Sequence, residues 1–167
     1  MMGLDMYLFS APKIDGMNFE EVLLANGRFH QLKEGDLLDE RLKPFIKHFE
    51  EYGHKWSSML EEVAYWRKAN QIHNWFVENL NDGTDEPVFT VQVTKDQLKE
   101  LYKLCIETLT KQIHPHEQLP TRPGCFFGSI AYDEYYYKEI DRTKSILENL
   151  LKNFNFETHY LLYQCSW

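Results

Sequence analysis

Glu61-Glu62-Val63-Ala64-Tyr65-Trp66-Arg67-Lys68-Ala69-Asn70-Gln71-Ile72-His73-Asn74-Trp75-Phe76 is the stretch whose reading decides the fold. It is the part of the chain densest in aromatic and chemistry-bearing side chains. Ser58 and Glu61 at its start have the S-x-x-E spacing of a capping box. Asn81-Asp82-Gly83 beyond it has the form of a helix stop. At about 100° per residue, Val63, Trp66, Ala69, Phe76, Val77 and Leu80 share one face. The spacing predicts one long helix from Met59 to about Leu80.

On that helix Glu62, Asn70 and His73 fall on or beside the apolar face. Buried polar groups must be hydrogen-bonded and a buried carboxylate needs a partner. Imidazole titrates near neutrality. Glu62 and His73 therefore read either as an acid/base pair in a pocket or as braces for neighbouring loops. Arg67 and Lys68, set among Tyr65, Trp66 and Trp75, read as a stacking clamp for a nucleotide or as a solvated flank. The candidate pocket comprises Glu62, Trp66, Arg67, Asn70, His73, Ser129, Asp133 and Tyr163.

Working outward, Gly3 to Phe9 alternates like a strand, as do Val88 to Val93 and the aromatic-rich segment from Phe156 to Trp167. Phe19 to Asn26 reads as a short helix closed by Gly27. Leu38, Leu42, Phe45, Phe49 and Tyr52 form a helical stripe, with Pro44 in a first turn and Gly53 at its end. Thr94 and Gln97 repeat the capping logic before a helix running to about Lys111. His114 to Gly124, with three prolines, reads as a loop. Cys125-Phe126-Phe127 reads as a short extended piece. The last helix spans about Tyr132 to Asn153, with Ser129 or Asp133 as its N-cap. The expected fold is one α+β domain over residues 1–167. Its small sheet takes strands from both termini and packs against three or more helices.

The 167 residues carry a formal net charge of −8 and are 15% aromatic. That charge argues against general nucleic-acid binding and against docking on anionic lipid. No apolar run approaches the roughly 20 residues of a membrane span, and the start has no basic n-region of a signal peptide. Three widely spaced cysteines, Cys105, Cys125 and Cys165, without a CxxC pair fit a reducing, cytoplasmic setting.

No motif assigns a reaction. There is no G-x-S-x-G, HExxH, GxGxxG or Walker loop. Phe126-Phe127-Gly128-Ser129 ahead of a helix resembles an anion-binding turn, but Asp133 and Glu134 would repel phosphate. His114-Pro115-His116-Glu117 lacks a third or fourth metal ligand, so no metal or cofactor is expected. Tyr132, Tyr135 and Tyr136, with Trp167, form a candidate aromatic interface.

Four pieces together resemble a known family. They are Met2-Gly-Leu-Asp-Met-Tyr-Leu8, Glu62-Val-Ala-Tyr-Trp-Arg-Lys-Ala-Asn-Gln-Ile-His-Asn-Trp-Phe76, Phe126-Phe-Gly-Ser129 with Tyr132-Asp-Glu-Tyr-Tyr136, and Tyr163-Gln-Cys-Ser-Trp167. This pattern is similar to a family of uncharacterised small proteins of phages, prophages and gut-type bacterial genomes. Cys165 departs from the polar residue expected there, and residues 10–56 lie outside the resemblance as a variable insertion. The resemblance implies a host-modulating or accessory role and transfers no catalytic residue.

The leading expectation is a non-enzymatic protein that binds another protein, or itself, through the aromatic rim. The alternative is a small-ligand or nucleotide-binding protein, or an enzyme, with a pocket around Glu62, Arg67, Asn70 and His73.

Overall fold

The computed structural model describes residues 3–30, 32, 36, 38–111 and 114–167. Met2, which begins the first resemblance motif, lies outside the described residues, as does Met1. The strands are β1 (Asp5–Pro12), β2 (Lys47–Glu51), β3 (His54–Ser58), β4 (Glu61–Arg67), β5 (Val88–Val93) and β6 (His159–Ser166). The helices are α1 (Phe19–Gly27), α2 (Asn70–Leu80), α3 (Lys95–Leu109), the single turn α4 (Pro115–Gln118) and α5 (Glu134–Asn153). The fold is α+β, with a four-stranded antiparallel sheet in the order β4-β1-β6-β5 and a separate β2-β3 hairpin. Strands from the two ends of the chain pair at its centre, Met6 opposite Cys165 and Leu8 opposite Tyr163.

Period-2 alternation gives the sheet two different faces. Leu4, Met6, Leu8, Trp66, Phe89, Leu161 and Tyr163 point into the main core. There they meet Ile72 and Phe76 of α2, Leu98, Leu101 and Cys105 of α3, and Ile140 and Leu147 of α5. The opposite face contributes Ala11 and Leu162 to a second core with Val22 and Ala25 of α1, Phe29, Leu42 and Met59. Local chemistry fixes the helix starts. Asn18 and Glu21 make a reciprocal capping box on α1, and Thr94 and Gln97 make another on α3. Asp133 accepts the Tyr136 N–H at 3.1 Å and caps α5.

The long central helix is corrected. Its first half is β4, and Lys68, at φ 60°, turns the chain into α2. The predicted capping serine, Ser58, instead accepts the Leu60 N–H at 3.0 Å in a turn. Val63, Tyr65 and Trp66 favour a pleated strand, and pairing with β1 decides the matter. The stripe from Leu38 to Tyr52 is also not a helix. Lys43–Phe45 is a single 3-10 turn, and the chain then enters the hairpin. Tyr52 and Gly53, at φ 51° and 78°, form its two-residue turn, so Gly53 reverses a hairpin rather than ending a helix. Cys125-Phe126 is a turn rather than an extended piece, with Phe126 at φ 63°.

The outer edge of β4 is blocked by α5. Arg142 donates to the Tyr65 carbonyl at 2.7 Å, and the Tyr135 hydroxyl donates to the Arg67 carbonyl at 3.1 Å. Filling edge carbonyls in this way prevents strand addition there. No helix among the described residues is long and apolar enough to cross a membrane.

Candidate functional site

Two arrangements of polar and aromatic side chains lie on opposite faces of the sheet. The first is built on α2. Asn70, His73 and Asn74 are all buried on this helix, and each is hydrogen-bonded to a segment distant in sequence. Asn70 donates to the carbonyls of Phe127 at 3.1 Å and Ser129 at 2.9 Å and accepts the Arg122 N–H at 3.1 Å. Asn74 donates to the Pro120 carbonyl at 3.2 Å. His73 sits between Tyr163 and Asp85, its Nδ1 2.8 Å from the Tyr163 hydroxyl and its Nε2 3.0 Å from Asp85 Oδ1.

Burial holds the His73 imidazole below its ordinary value and outweighs the attraction of Asp85. The ring is therefore neutral near pH 7. The carboxylate can only accept, so Nε2–H donates to Asp85 and Nδ1 accepts the Tyr163 O–H. Burial raises the Tyr163 phenol well above its usual range. Asp85 also accepts Arg122 Nε at 2.7 Å and Trp167 Nε1 at 3.1 Å. Arg122 continues to Asn74 Oδ1 at 2.7 Å and Glu78 Oε1 at 2.9 Å. The order Tyr-His-Asp has the form of a proton relay, but the Tyr163 hydroxyl meets His73 inside the core, under Phe76 stacked at 3.9 Å. Chemically, the network binds the 81–87 turn, the 120–130 loop and the C-terminus to α2.

The second arrangement is a groove of about 730 Å³ on the other face. Its floor crosses all four strands through Glu62, Phe9, Leu162, Gln164 and Thr90. Leu23, Asn26 and Gly27 of α1 form one wall, with His30 beyond them. Phe49 and Trp56, direct partners across the hairpin and stacked at 5.7 Å, form the other. Asn26 ties the walls together, accepting the Met59 N–H at 2.6 Å and the Ser58 hydroxyl at 3.2 Å.

A β-bulge places Glu62. Leu8 pairs with Ala64 but the next residue, Phe9, pairs with Glu62, so Val63 is the extra residue. Strict alternation would send Glu62 to the core side with Ala64 and Trp66. The bulge brings it beside Phe9 at the groove instead. Glu61 also lines the groove and is ion-paired with Lys47. Glu62 has no hydrogen bond or salt bridge among the described residues.

The eight pocket residues expected from sequence thus separate. Asn70, His73 and Tyr163 come together, with the Ser129 carbonyl on Asn70. Glu62 lies across the sheet in the groove. Arg67 is on the groove-side face with Asp5 at 3.6 Å, and Asp5 accepts the Tyr65 hydroxyl at 2.5 Å. Trp66 is in the core and donates to Thr143 at 2.9 Å, while Asp133 is a helix cap. The separation follows from the strand-turn-helix that replaces the expected helix.

Of the aromatic rim, Tyr132, Tyr135 and Trp167 stay exposed and Tyr136 is drawn inward. Tyr136 is buried, donating to the Leu119 carbonyl at 2.8 Å, so it cannot serve as an interface residue. Tyr132 accepts the Thr121 N–H at 3.3 Å, and the polar ends of Tyr135 and Trp167 are occupied as described above. Sequence reading missed Asp85 and Arg122, which sit in connecting segments with no periodic signal, and missed Phe49 and Trp56. The alternation around Tyr52-Gly53 was the available signal for that last pair. Among the described residues no group of three or more His, Cys, Asp or Glu side chains could hold a metal ion. His114 and His116 stack at 5.3 Å. No known protein family, curated protein or solved structure gives a match to this chain.

Proposed function

We propose that the protein is a non-enzymatic ligand-binding protein of the accessory kind implied by the phage-family resemblance, and that its binding site is the groove on the open face of the sheet. The observation that carries this reading is the aromatic-walled cavity of about 730 Å³ bounded by Phe9, Phe49, Trp56 and Leu162. Small-molecule sites are concave, mainly apolar and provided with a few polar groups, at volumes of roughly 300–1,000 Å³. Asn26, Ser58, Thr90 and Gln164 are such groups. By contrast, the polar groups around His73 already satisfy one another. A protein partner at the tyrosine rim is the weaker reading, because those hydroxyls brace the fold.

A fragment library screened by amide chemical-shift perturbation tests the proposal. Saturable shifts should cluster on Phe9, Thr90, Leu162 and the hairpin, and should disappear in Trp56→Ala. Hits clustering around His73, or none on the groove, would refute it.

A further inference from the structure

We infer that the ligand of this groove is an organic cation: an ammonium group carried on a flat apolar body. The inference rests on the groove being the binding site and adds the chemical class of its occupant. Three observations point the same way. Glu62 presents a carboxylate at the floor with no salt-bridge partner among the described residues, and the bulge at Val63 puts it there. None of the described lining residues is Lys or Arg, the one basic side chain among them being His30, while Lys47 is engaged with Glu61. The C-terminal turn of α1 brings Asn26 and Gly27 to the groove with no basic residue within that turn, Arg28 following as the C-cap, and a helix C-terminus carries the negative end of the dipole.

An anionic guest such as a nucleotide would meet the Glu62 carboxylate and a helix C-terminus, Glu61 being already neutralised by Lys47. A cation finds an opposite charge and, in Phe9, Phe49 and Trp56, ring faces that attract cations. The stacked Phe49-Trp56 pair gives a flat apolar body a matching wall.

The test compares three probes of one shape and different charge: tryptamine, tryptophol and indole-3-acetate. Each is titrated into the full chain and followed by amide chemical shifts of groove residues. Tryptamine should bind about fivefold more tightly than tryptophol, the scale of one exposed charge pair, and indole-3-acetate more weakly than either. The preference should shrink in high salt and fall below about twofold in Glu62→Gln, an exposed substitution that leaves the fold intact. Equal binding of all three probes, tightest binding of the acetate, or an undiminished preference in Glu62→Gln overturns the cation assignment and leaves the groove standing. Failure of all three to shift groove residues at millimolar concentration overturns the groove reading itself.

Discussion

Asp85→Ala tests whether the His73 network holds this end of the fold together. Asp85 accepts from His73, Arg122 and Trp167. The three losses differ in weight because burial differs. The His73 side chain is 0% exposed, so its Nε2–H is left buried and unpaired, at a cost of about 1–3 kcal/mol. The Arg122 side chain is 21% exposed and keeps Glu78 and Asn74, so its loss is nearer to about 1 kcal/mol. Trp167 is half-exposed and can turn its N–H to water, which limits its share to about 0.5 kcal/mol. The sum is about 2.5–4.5 kcal/mol, a large fraction of the roughly 5–15 kcal/mol that holds a domain folded. Urea unfolding should show a lower midpoint at an unchanged slope. Glu78→Ala, at the solvent end of the same network, should cost under about 1 kcal/mol. An Asp85→Ala loss no greater than that of Glu78→Ala would refute the reasoning, since burial would then not set the cost.

Other predictions follow from the same geometry. The folded state lowers the His73 pKa from 6.5, so the unfolded chain binds the proton more readily. Its contribution is complete above pH 6.5 and is lost as pH falls through that value towards the folded pKa, with a slope of at most about 1.4 kcal/mol per pH unit. Urea melts between pH 7.5 and 5 should show this loss, and His73→Asn should be less stable at neutrality but flatter in acid. An equally steep fall in His73→Asn would remove His73 as the cause. Burial pushes the Cys105 thiol up to about 12 and Cys165 up to about 11, while Cys125 is exposed. Ellman's reagent should modify Cys125 alone in the native protein, and fast reaction in Cys125→Ser would contradict this. Trp66→Phe removes the donor to Thr143 and leaves a small void, which should cost about 2–3 kcal/mol in thermal or urea melts. A cost under 0.5 kcal/mol, taken as a rough threshold, would show that the bond contributes little.

Much of the scaffold was legible because local signals agreed. In β1 and β5 the period-2 pattern matches the buried positions, and in α3 the capping box and the Leu98, Leu101, Cys105 stripe point to one answer. In β4 they conflict. Val63, Trp66 and Ala69 fit a helical period, while Ala64 and Trp66 fit a strand, and only β1, more than fifty residues away in sequence, decides between them. The hairpin was lost for a related reason. Tyr52-Gly53 is not an Asn-Gly turn, and the apolar spacing from Leu38 to Phe49 imitates a helix.

The candidate site was less legible than the fold because it depends on which face of a strand each side chain takes. A helix would have put Glu62 and His73 on one surface. A strand followed by a turn at Lys68 puts the sheet between them, and one extra residue at Val63 then moves Glu62 out of the core. No composition or spacing rule encodes that bulge, because the second strand of the ladder creates it. Its effect bears directly on function. Without it, Glu62 would point towards the core beside Ala64 and Trp66, where an unpaired carboxylate is costly. With it, the carboxylate stands at an aromatic-walled groove without an ionic partner among the described residues, so the feature hardest to see in sequence makes the strongest demand on the chemistry of the ligand.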